Sequence, residues 1–283
     1  MLLTKLRAIN NQGDTLNLPL DNHSGGYLVT DIQGLGPAKA TLSSKVATGT
    51  DGAQFNSGRL EPRNVIIKLG LTPDYASSSV YALRAQLYPY FMPNTEVLLK
   101  LDLFDKFSDS VIYQNLNLEI KGVIESFEVD QFVKDPTVDL SIMCYAPALV
   151  DPEPVIFEGS TVFGLHEVVL NYPGSLETGF LFSIFPNRTL SSFVIYHRPS
   201  NQKLYSAHFD GELLAGDVLK INSVRGDKYV RRLRNGIEST QLFALHKQSK
   251  WLELDRGVNH LRVYASGDPV PYQIEYTTKY GGV

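Results

Sequence analysis

Six histidines are the residues of this 283-residue sequence best suited to bind a metal or exchange protons near neutral pH. They are His23, His166, His197, His208, His246 and His260. No two have the short, regular spacing of metal ligands, so we interpret each as a surface or half-buried strand residue. The single cysteine, Cys144, excludes an internal disulfide and a cysteine-based zinc site. Because it stands in an alternating run, a small buried hydrophobe is the favoured interpretation.

Motifs for catalysis or cofactor binding are equally scarce. The chain contains no phosphate loop, dinucleotide fingerprint, nucleophile elbow or zinc-protease helix. Gly34 and Gly36 begin a glycine-rich turn, but Pro37 and a predicted strand follow where a phosphate site requires a helix N-terminus. No pair of carboxylates stands out as a glycosidase pair. We therefore predict no catalytic residue, no cofactor and no metal site, and a hydrolase is the least favoured function.

A few features permit binding. Trp251, the only tryptophan, precedes an apolar run and is either a core or hairpin anchor or a contact for a sugar or partner. Residues 220–234 carry six basic residues and one acidic residue, but the charges fall on both faces of the predicted strand, which favours a solvated edge or a salt-bridged contact. Arg225-Gly226-Asp227 is predicted to be a hairpin turn rather than an adhesive tripeptide.

Composition favours β-structure. Hydrophobic residues make up 43% of the chain and aromatic residues 11%, with 15 Tyr and 14 Phe. The net charge of −4 gives no nucleic-acid signature, and the excess of acidic residues lies in residues 1–150. We find neither a secretion signal nor an apolar stretch of about 20 residues, so we expect synthesis and folding in a reducing cytoplasm, without membrane insertion.

Residues 27–71 are the stretch around which the chain is organised. We predict a hairpin of residues 27–33 and 38–46, then a polar loop over residues 47–58, then a long strand over residues 59–71. The loop has no apolar periodicity and cannot bury a face by itself. Since long unpatterned loops inside compact domains are usually functional, we expect a neighbouring molecule to order this one.

The remaining elements divide the chain into two domains. One amphipathic helix is predicted over residues 73–91 and is followed by strands over residues 96–104, 116–129 and 137–145. The Asp-Pro-Glu-Pro run at residues 151–154 marks the boundary, giving domains 1–150 and 151–283. Eight short strands separated by turn signals describe the second domain as a β-sandwich or jelly roll.

Several short motifs follow one another along the chain. In the first half they are residues 31–35, Asp51-Gly52-Ala53, Gly58-Arg59 and the aromatic helix end at residues 87–91. In the second half they are residues 216–221, Asn235-Gly236, residues 249–254, residues 257–259 and the closing residues 276–281. Together and in this order, these motifs resemble the distal tail protein family of long-tailed (siphovirus) phages.

The resemblance implies a mainly β fold. The N-terminal domain would be a split barrel or sandwich with one helix and an extended hairpin arm, and the C-terminal domain a galectin-like β-sandwich. The arm residues it implies are Thr50, Asp51, Gly52, Ala53, Gln54, Phe55, Gly58 and Arg59.

It also implies a structural role at the virion tail tip. Six chains would form a ring joining the tail tube to the tail hub, tail-associated lysin or fibre, and the ring could carry a receptor-binding protein. DNA would pass the channel without specific binding, a role that the acidic first half suits. The alternative is a carbohydrate-binding adhesion module of a tail or cell-surface structure.

Overall fold

The computed structural model describes residues 2–21, 24–46, 49, 51–104, 115–130, 135–199 and 203–283. It divides into two compact units, the first formed by residues 1–152 together with 280–283 and the second by residues 153–279. The predicted division at residues 150/151 stays a prediction. However, residues 280–283, which we expected in the C-terminal domain, belong to the first unit, because Tyr280 is buried in the first unit's hydrophobic core.

Residues 2–150, as far as the structure describes them, form ten strands and one α-helix. They are β1 (Leu2–Asn10), β2 (Thr15–Leu18), β3 (Tyr27–Gln33), β4 (Ala40–Lys45), β5 (Gln54–Leu60), β6 (Arg63–Leu71), α1 (Val80–Phe91), β7 (Glu96–Phe104), β8 (Asn115–Val129), β9 (Thr137–Cys144) and β10 (Leu149–Val150). Antiparallel pairing in the order β2-β1-β7-β8-β9-β6-β3 forms the main sheet. The Val29 amide donates to the Pro19 carbonyl at 2.8 Å, which brings the two ends of this sheet together.

The core of this unit is formed by strands in which buried apolar residues alternate with more exposed ones. In β7 the buried side chains are Val97, Leu99, Leu101 and Leu103, as expected for a strand with one buried face. Helix α1 contributes Leu83, Leu87 and Phe91 to the same hydrophobic cluster. Cys144 is buried in this core, as predicted.

The second unit is a sandwich of two antiparallel sheets. Its strands are β11 (Val155–Ser160), β12 (Val168–Tyr172), β13 (Thr178–Gly179), β14 (Leu181–Ile184), β15 (Leu190–Arg198), β16 (Tyr205–Leu213), β17 (Val218–Asn222), β18 (Tyr229–Arg234), β19 (Ile237–Thr240), β20 (Glu253–Leu254), β21 (Gly257–Tyr264) and β22 (Pro271–Tyr276), and β23 (Lys279–Tyr280) follows. The sheets have the orders β11-β22-β14-β17-β18-β19 and β12-β21-β15-β16, beside a small β13–β20 pair. The Phe182 ring, on the first sheet, lies 5.8 Å from the Phe193 ring on the second, so aromatic packing joins the layers.

The mainly β fold with one α-helix is confirmed. Three local predictions were wrong. Strand β3 pairs with β6 and β4 with β5, so the predicted hairpin of residues 27–33 and 38–46 does not form. The predicted loop is shorter, because residues 54–60 are strand β5, and Pro62, which has no amide hydrogen, lies in the break between β5 and β6.

The helix is also shorter than predicted, because it begins at Val80 rather than at residue 73, and it ends at Phe91 as predicted. Ser79 caps its N-terminus by accepting a hydrogen bond from the Ala82 amide at 3.2 Å, which fixes the start at Val80. Pro89 lies two residues before the helix ends at Phe91, so the missing amide hydrogen costs only one late hydrogen bond.

Candidate functional site

The candidate site is a hairpin whose described residues belong to neither hydrophobic core. We call residues 40–60, which contain β4 and β5, the arm. These two strands form a sheet of their own, and every residue in them is exposed. An isolated two-stranded hairpin is at best marginally stable in water, and its free edges invite pairing with another chain.

The arm has one apolar and one polar face. Leu42 pairs with Gly58 and Ala40 with Leu60, which places these four residues on one face. Strand register shifts between Ser43 and Ser44, so that Ser44 pairs with Phe55. This bulge brings the Phe55 ring onto the Leu42 face.

Gly58 lets the two large side chains of that face meet. A Cβ placed on Gly58 would lie 3.1 Å from Leu42 Cδ2 and 3.6 Å from Phe55 Cζ. Leu42 is 67% exposed and Phe55 is 65% exposed, although both are strongly apolar. They therefore form an exposed hydrophobic pair that belongs to neither hydrophobic core of the described residues.

The opposite face of the arm is hydrophilic. Thr41 pairs with Arg59, and Ser43 pairs with Ser57. Thr41 Oγ1 donates to Glu61 Oε1 at 2.6 Å, at the base of the arm. The arm is thus amphipathic, and its apolar face is suited to lie on another protein surface.

The structure brings most of the predicted arm residues together. Asp51 and Gly52 lie at the tip, where Gly52 has a φ of +88° that favours glycine. Phe55 and Gly58 lie on the apolar face, while Gln54 and Arg59 lie on the polar one. Ala53 immediately precedes β5, and Thr50 lies outside the described residues. Sequence reasoning missed Leu42 and Leu60, whose alternation in an otherwise polar hairpin is the signal that could have found them.

A buried arginine holds the base of the arm. Arg63, 3% exposed, donates from Nη1 to the carbonyls of Gly34, Leu35 and Gly36 at 2.9, 2.9 and 2.8 Å. Its Nε donates to the Pro147 carbonyl at 2.9 Å, and its Nη2 donates to the Gly281 carbonyl. Burial lowers the pKa of Arg63, so these carbonyls must compensate for lost hydration of the cation.

Trp251 lies in the second unit, and its surroundings fit both of the roles that the sequence left open, an anchor on the core and a contact for a sugar or partner. Its side chain is partly buried against the core, as an anchor would be. It also lines a cavity of about 250 Å³ with Tyr205, His197, Asp255 and Lys250. The Lys228 ammonium lies 5.7 Å from the centre of the Trp251 ring, within cation–π range.

Hydrogen bonds hold the wall of this cavity. Asn259 is fully buried and donates to the carbonyls of Asp255 and Gly257 at 2.7 and 2.9 Å. Its Oδ1 lies 3.0 Å from His197 Nε2, so this histidine nitrogen must donate. Burial lowers the pKa of His197, which favours the neutral ring.

The possible adhesive tripeptide is a structural turn. Arg225 Nη2 lies 2.6 Å from a carboxylate oxygen of Glu253 and 2.6 Å from one of Glu177. Asp227 Oδ2 accepts from Asn222 Nδ2 at 2.9 Å. Both charged side chains are therefore engaged within the second unit.

Within the described residues there is no group of three or more His, Cys, Asp or Glu side chains that could hold a metal ion. The described part of the chain also has no helix long and apolar enough to cross a membrane.

Comparison with known proteins agrees with the resemblance found in the sequence. Residues 173–280 match the family model of the siphovirus-type tail component, C-terminal domain. The crystal structure of the SPP1 Dit (gp 19.1) protein, described as a paradigm of the hub adsorption apparatus in phages that infect Gram-positive bacteria, has a TM-score of 0.65 with this chain. The two are 14% identical, and the match covers 97% of this chain and 98% of that one.

A chain of the phage P2 baseplate in its activated conformation with Ca is 9% identical over the full length of both chains, with a TM-score of 0.45. None of the curated protein sequences matches the chain. The resemblance to distal tail proteins is confirmed, by the family model over residues 173–280 and by the fold over nearly the whole chain. The family description also agrees with the predicted location in the virion tail.

Proposed function

We propose that this chain, whose residues 173–280 match the family model of the siphovirus-type tail component, is a non-enzymatic structural protein that assembles into a ring through its arm. The arm is the observation that carries the proposal. It exposes Leu42 and Phe55 on one face, and none of its described side chains is buried in the first unit. Covering that face with a second copy of the chain would remove apolar surface from water and pair free strand edges.

A ring follows from the asymmetry of such a contact. The arm of one subunit would lie on a different surface of the next, which makes the interface heterologous. Heterologous contacts that close on themselves form rings, and a closed ring leaves no arm unpartnered. We propose six subunits, which is the number that the resemblance implies.

The ring would connect the tail tube to the tail hub, tail-associated lysin or fibre at the tail tip, and could carry a receptor-binding protein. The first half of the chain would surround the channel, where its excess of acidic residues would repel passing DNA. We also propose that the β-sandwich of the second unit is galectin-like.

Deletion of residues 48–56 tests the function. The deletion removes the tip and the first residues of β5 but no side chain of either hydrophobic core. We expect native mass spectrometry to show a ring for the intact chain and monomers for the deletion variant. Circular dichroism and thermal unfolding of the variant should retain the transitions of both units. Rings of the deletion variant at the mass expected for six chains would contradict the proposal.

A carbohydrate-binding role is the second candidate, and the cavity beside Trp251 favours it. Its volume of about 250 Å³ is below the roughly 300–1,000 Å³ of drug-sized sites, which suits a single sugar ring. Aromatic, carboxylate and lysine groups around it could contact the face and hydroxyls of a sugar. A glycan array with the full chain should then give binding that Lys250→Ala weakens, since Lys250 is exposed at the cavity. No binding to any saccharide would remove this candidate.

A further inference from the structure

The return segment, residues 280–283, is built into the first unit beside the base of the arm. Tyr280 is buried in the core, and the Val283 amide donates to the Leu35 carbonyl at 3.1 Å. Gly282 is packed so closely that a Cβ on it would lie 2.6 Å from the Gly36 carbonyl carbon and 2.5 Å from Pro37 N. No real Cβ is found this close to backbone atoms, so this position accepts glycine only.

Arg63 ties the return segment to both strands of the arm's base. It is the first residue of β6 and follows the end of β5 by three positions, while Gly34–Gly36 precede the start of β4 by four. The guanidinium therefore links the chain entering the arm, the chain leaving it and the Gly281 carbonyl. Its rigid, planar guanidinium group donates hydrogen bonds to the carbonyls of three separate segments at once, which a lysine ammonium group could not do in the same geometry.

The next contact toward the arm continues this arrangement. The Glu61 amide donates to the Lys39 carbonyl at 2.8 Å, directly below the first pair of the arm, Ala40 with Leu60. The contacts of Arg63 with residues 34–36 thus fix the path of the backbone at the point where the arm leaves the main sheet. A change of direction at this base is magnified along the length of the hairpin.

We infer that the return segment and Arg63 are positioning elements that set the direction of the arm for assembly. This inference rests on the proposed function, since a direction matters only if the arm must reach a neighbouring subunit. It predicts that a lesion in residues 280–283, far from the arm in sequence, impairs subunit assembly while the hydrophobic face of the arm stays intact.

The test uses Gly282→Val, which forces residues 36–37 to move, and Val283→Pro, which removes the amide donor to Leu35 and fixes φ at residue 283. The matched control is Gly164→Ala, because a Cβ on Gly164 meets nothing within 4 Å and Gly164 lies outside the first unit. Two readouts are needed in the full-length chain. Hydrogen exchange of the Glu61 amide, measured under dissociating dilution, reports on the base of the arm. The concentration at which half of the subunits assemble reports on the ring.

We expect both test variants to speed exchange at Glu61 and to raise the assembly midpoint at least tenfold, with Gly164→Ala like the wild type in both. If Gly282→Val fails to fold, Val283→Pro carries the test alone. Unchanged exchange, or faster exchange with an unchanged assembly midpoint, would overturn the inference. A failure of the proposed function would give a different result, because variants of the Leu42–Phe55 face would then assemble like the wild type.

Discussion

The apolar face of the arm allows a quantitative prediction. We consider the double variant Leu42→Ala, Phe55→Ala, which removes the exposed hydrophobic pair and keeps the backbone. Full burial of a Leu or Phe side chain stabilises by about 1.5–3 kcal/mol. Because the two side chains are 67% and 65% exposed in the single chain, roughly two thirds of this remains to be gained on assembly.

The expected loss is therefore about 1–2 kcal/mol for each side chain and about 2–4 kcal/mol for each subunit contact. Since 1.4 kcal/mol corresponds to a factor of ten, the dissociation constant of one contact should rise about 30- to 700-fold. The stability of the single chain should change by less than about 0.5 kcal/mol, because neither side chain belongs to a core cluster.

Sedimentation velocity over a concentration series measures the assembly midpoint, and thermal unfolding measures the stability of the dissociated chain. The control is Ser43→Ala, Ser57→Ala, a directly paired couple on the opposite face of the same hairpin. An equal shift for both double variants would show that the apolar face is not specifically used. No shift for Leu42→Ala, Phe55→Ala would refute the reasoning altogether.

Two further predictions concern buried polar groups. Burial lowers the pKa of His197 below its ordinary value of 6.5, so the unfolded chain is protonated at a higher pH than the folded chain. The second unit should therefore lose stability as the pH falls below about 6.5, by at most about 1.4 kcal/mol per pH unit. Urea midpoints at about pH 7.5 and 5.5 should differ less for His197→Gln than for the wild type. In the first unit the Tyr27 hydroxyl lies 2.9 Å from the Leu83 carbonyl of α1, and Tyr27→Phe should cost about 0.5–1.5 kcal/mol at neutral pH. Burial raises the Tyr27 pKa to about 12, so this part of the wild-type stability should fade as the pH rises past about 10, and thermal unfolding of the variant should lack that fall.

The strands that were easiest to predict are those in which apolar residues alternate with polar ones, so that one face of the strand is buried. The run at residues 96–104 gave the bounds of β7 because every second side chain is an aliphatic residue of the core. Pairing partners were harder. The turn chemistry of residues 34–37 suggests a hairpin, yet Gly34 has a φ of +84° and, with its neighbours, turns its carbonyl toward Arg63. The path of the backbone there is determined by contacts of Arg63 with residues about 30 and 220 positions away, and no local sequence pattern indicates such contacts.

The arm shows why its exposure was predictable but its structure was not. A polar stretch without periodicity cannot bury a face, and this correctly indicated a segment outside the core. However, strand β5 was hidden by the bulge opposite Ser43 and Ser44, which interrupts alternation, and by Gly58, which disfavours strands. Trp251 was ambiguous for a related reason, since one ring both packs on the core and lines a cavity.

Gly58 connects the hidden strand to the proposed function. A Cβ at this position would press on Leu42 at 3.1 Å and stand between it and Phe55. Glycine weakens the strand by itself, at a cost of about 0.5–1 kcal/mol relative to alanine, but it allows the two large side chains to form one flat apolar surface. The residue that obscures the strand in the sequence is thus the one that makes the apolar face continuous.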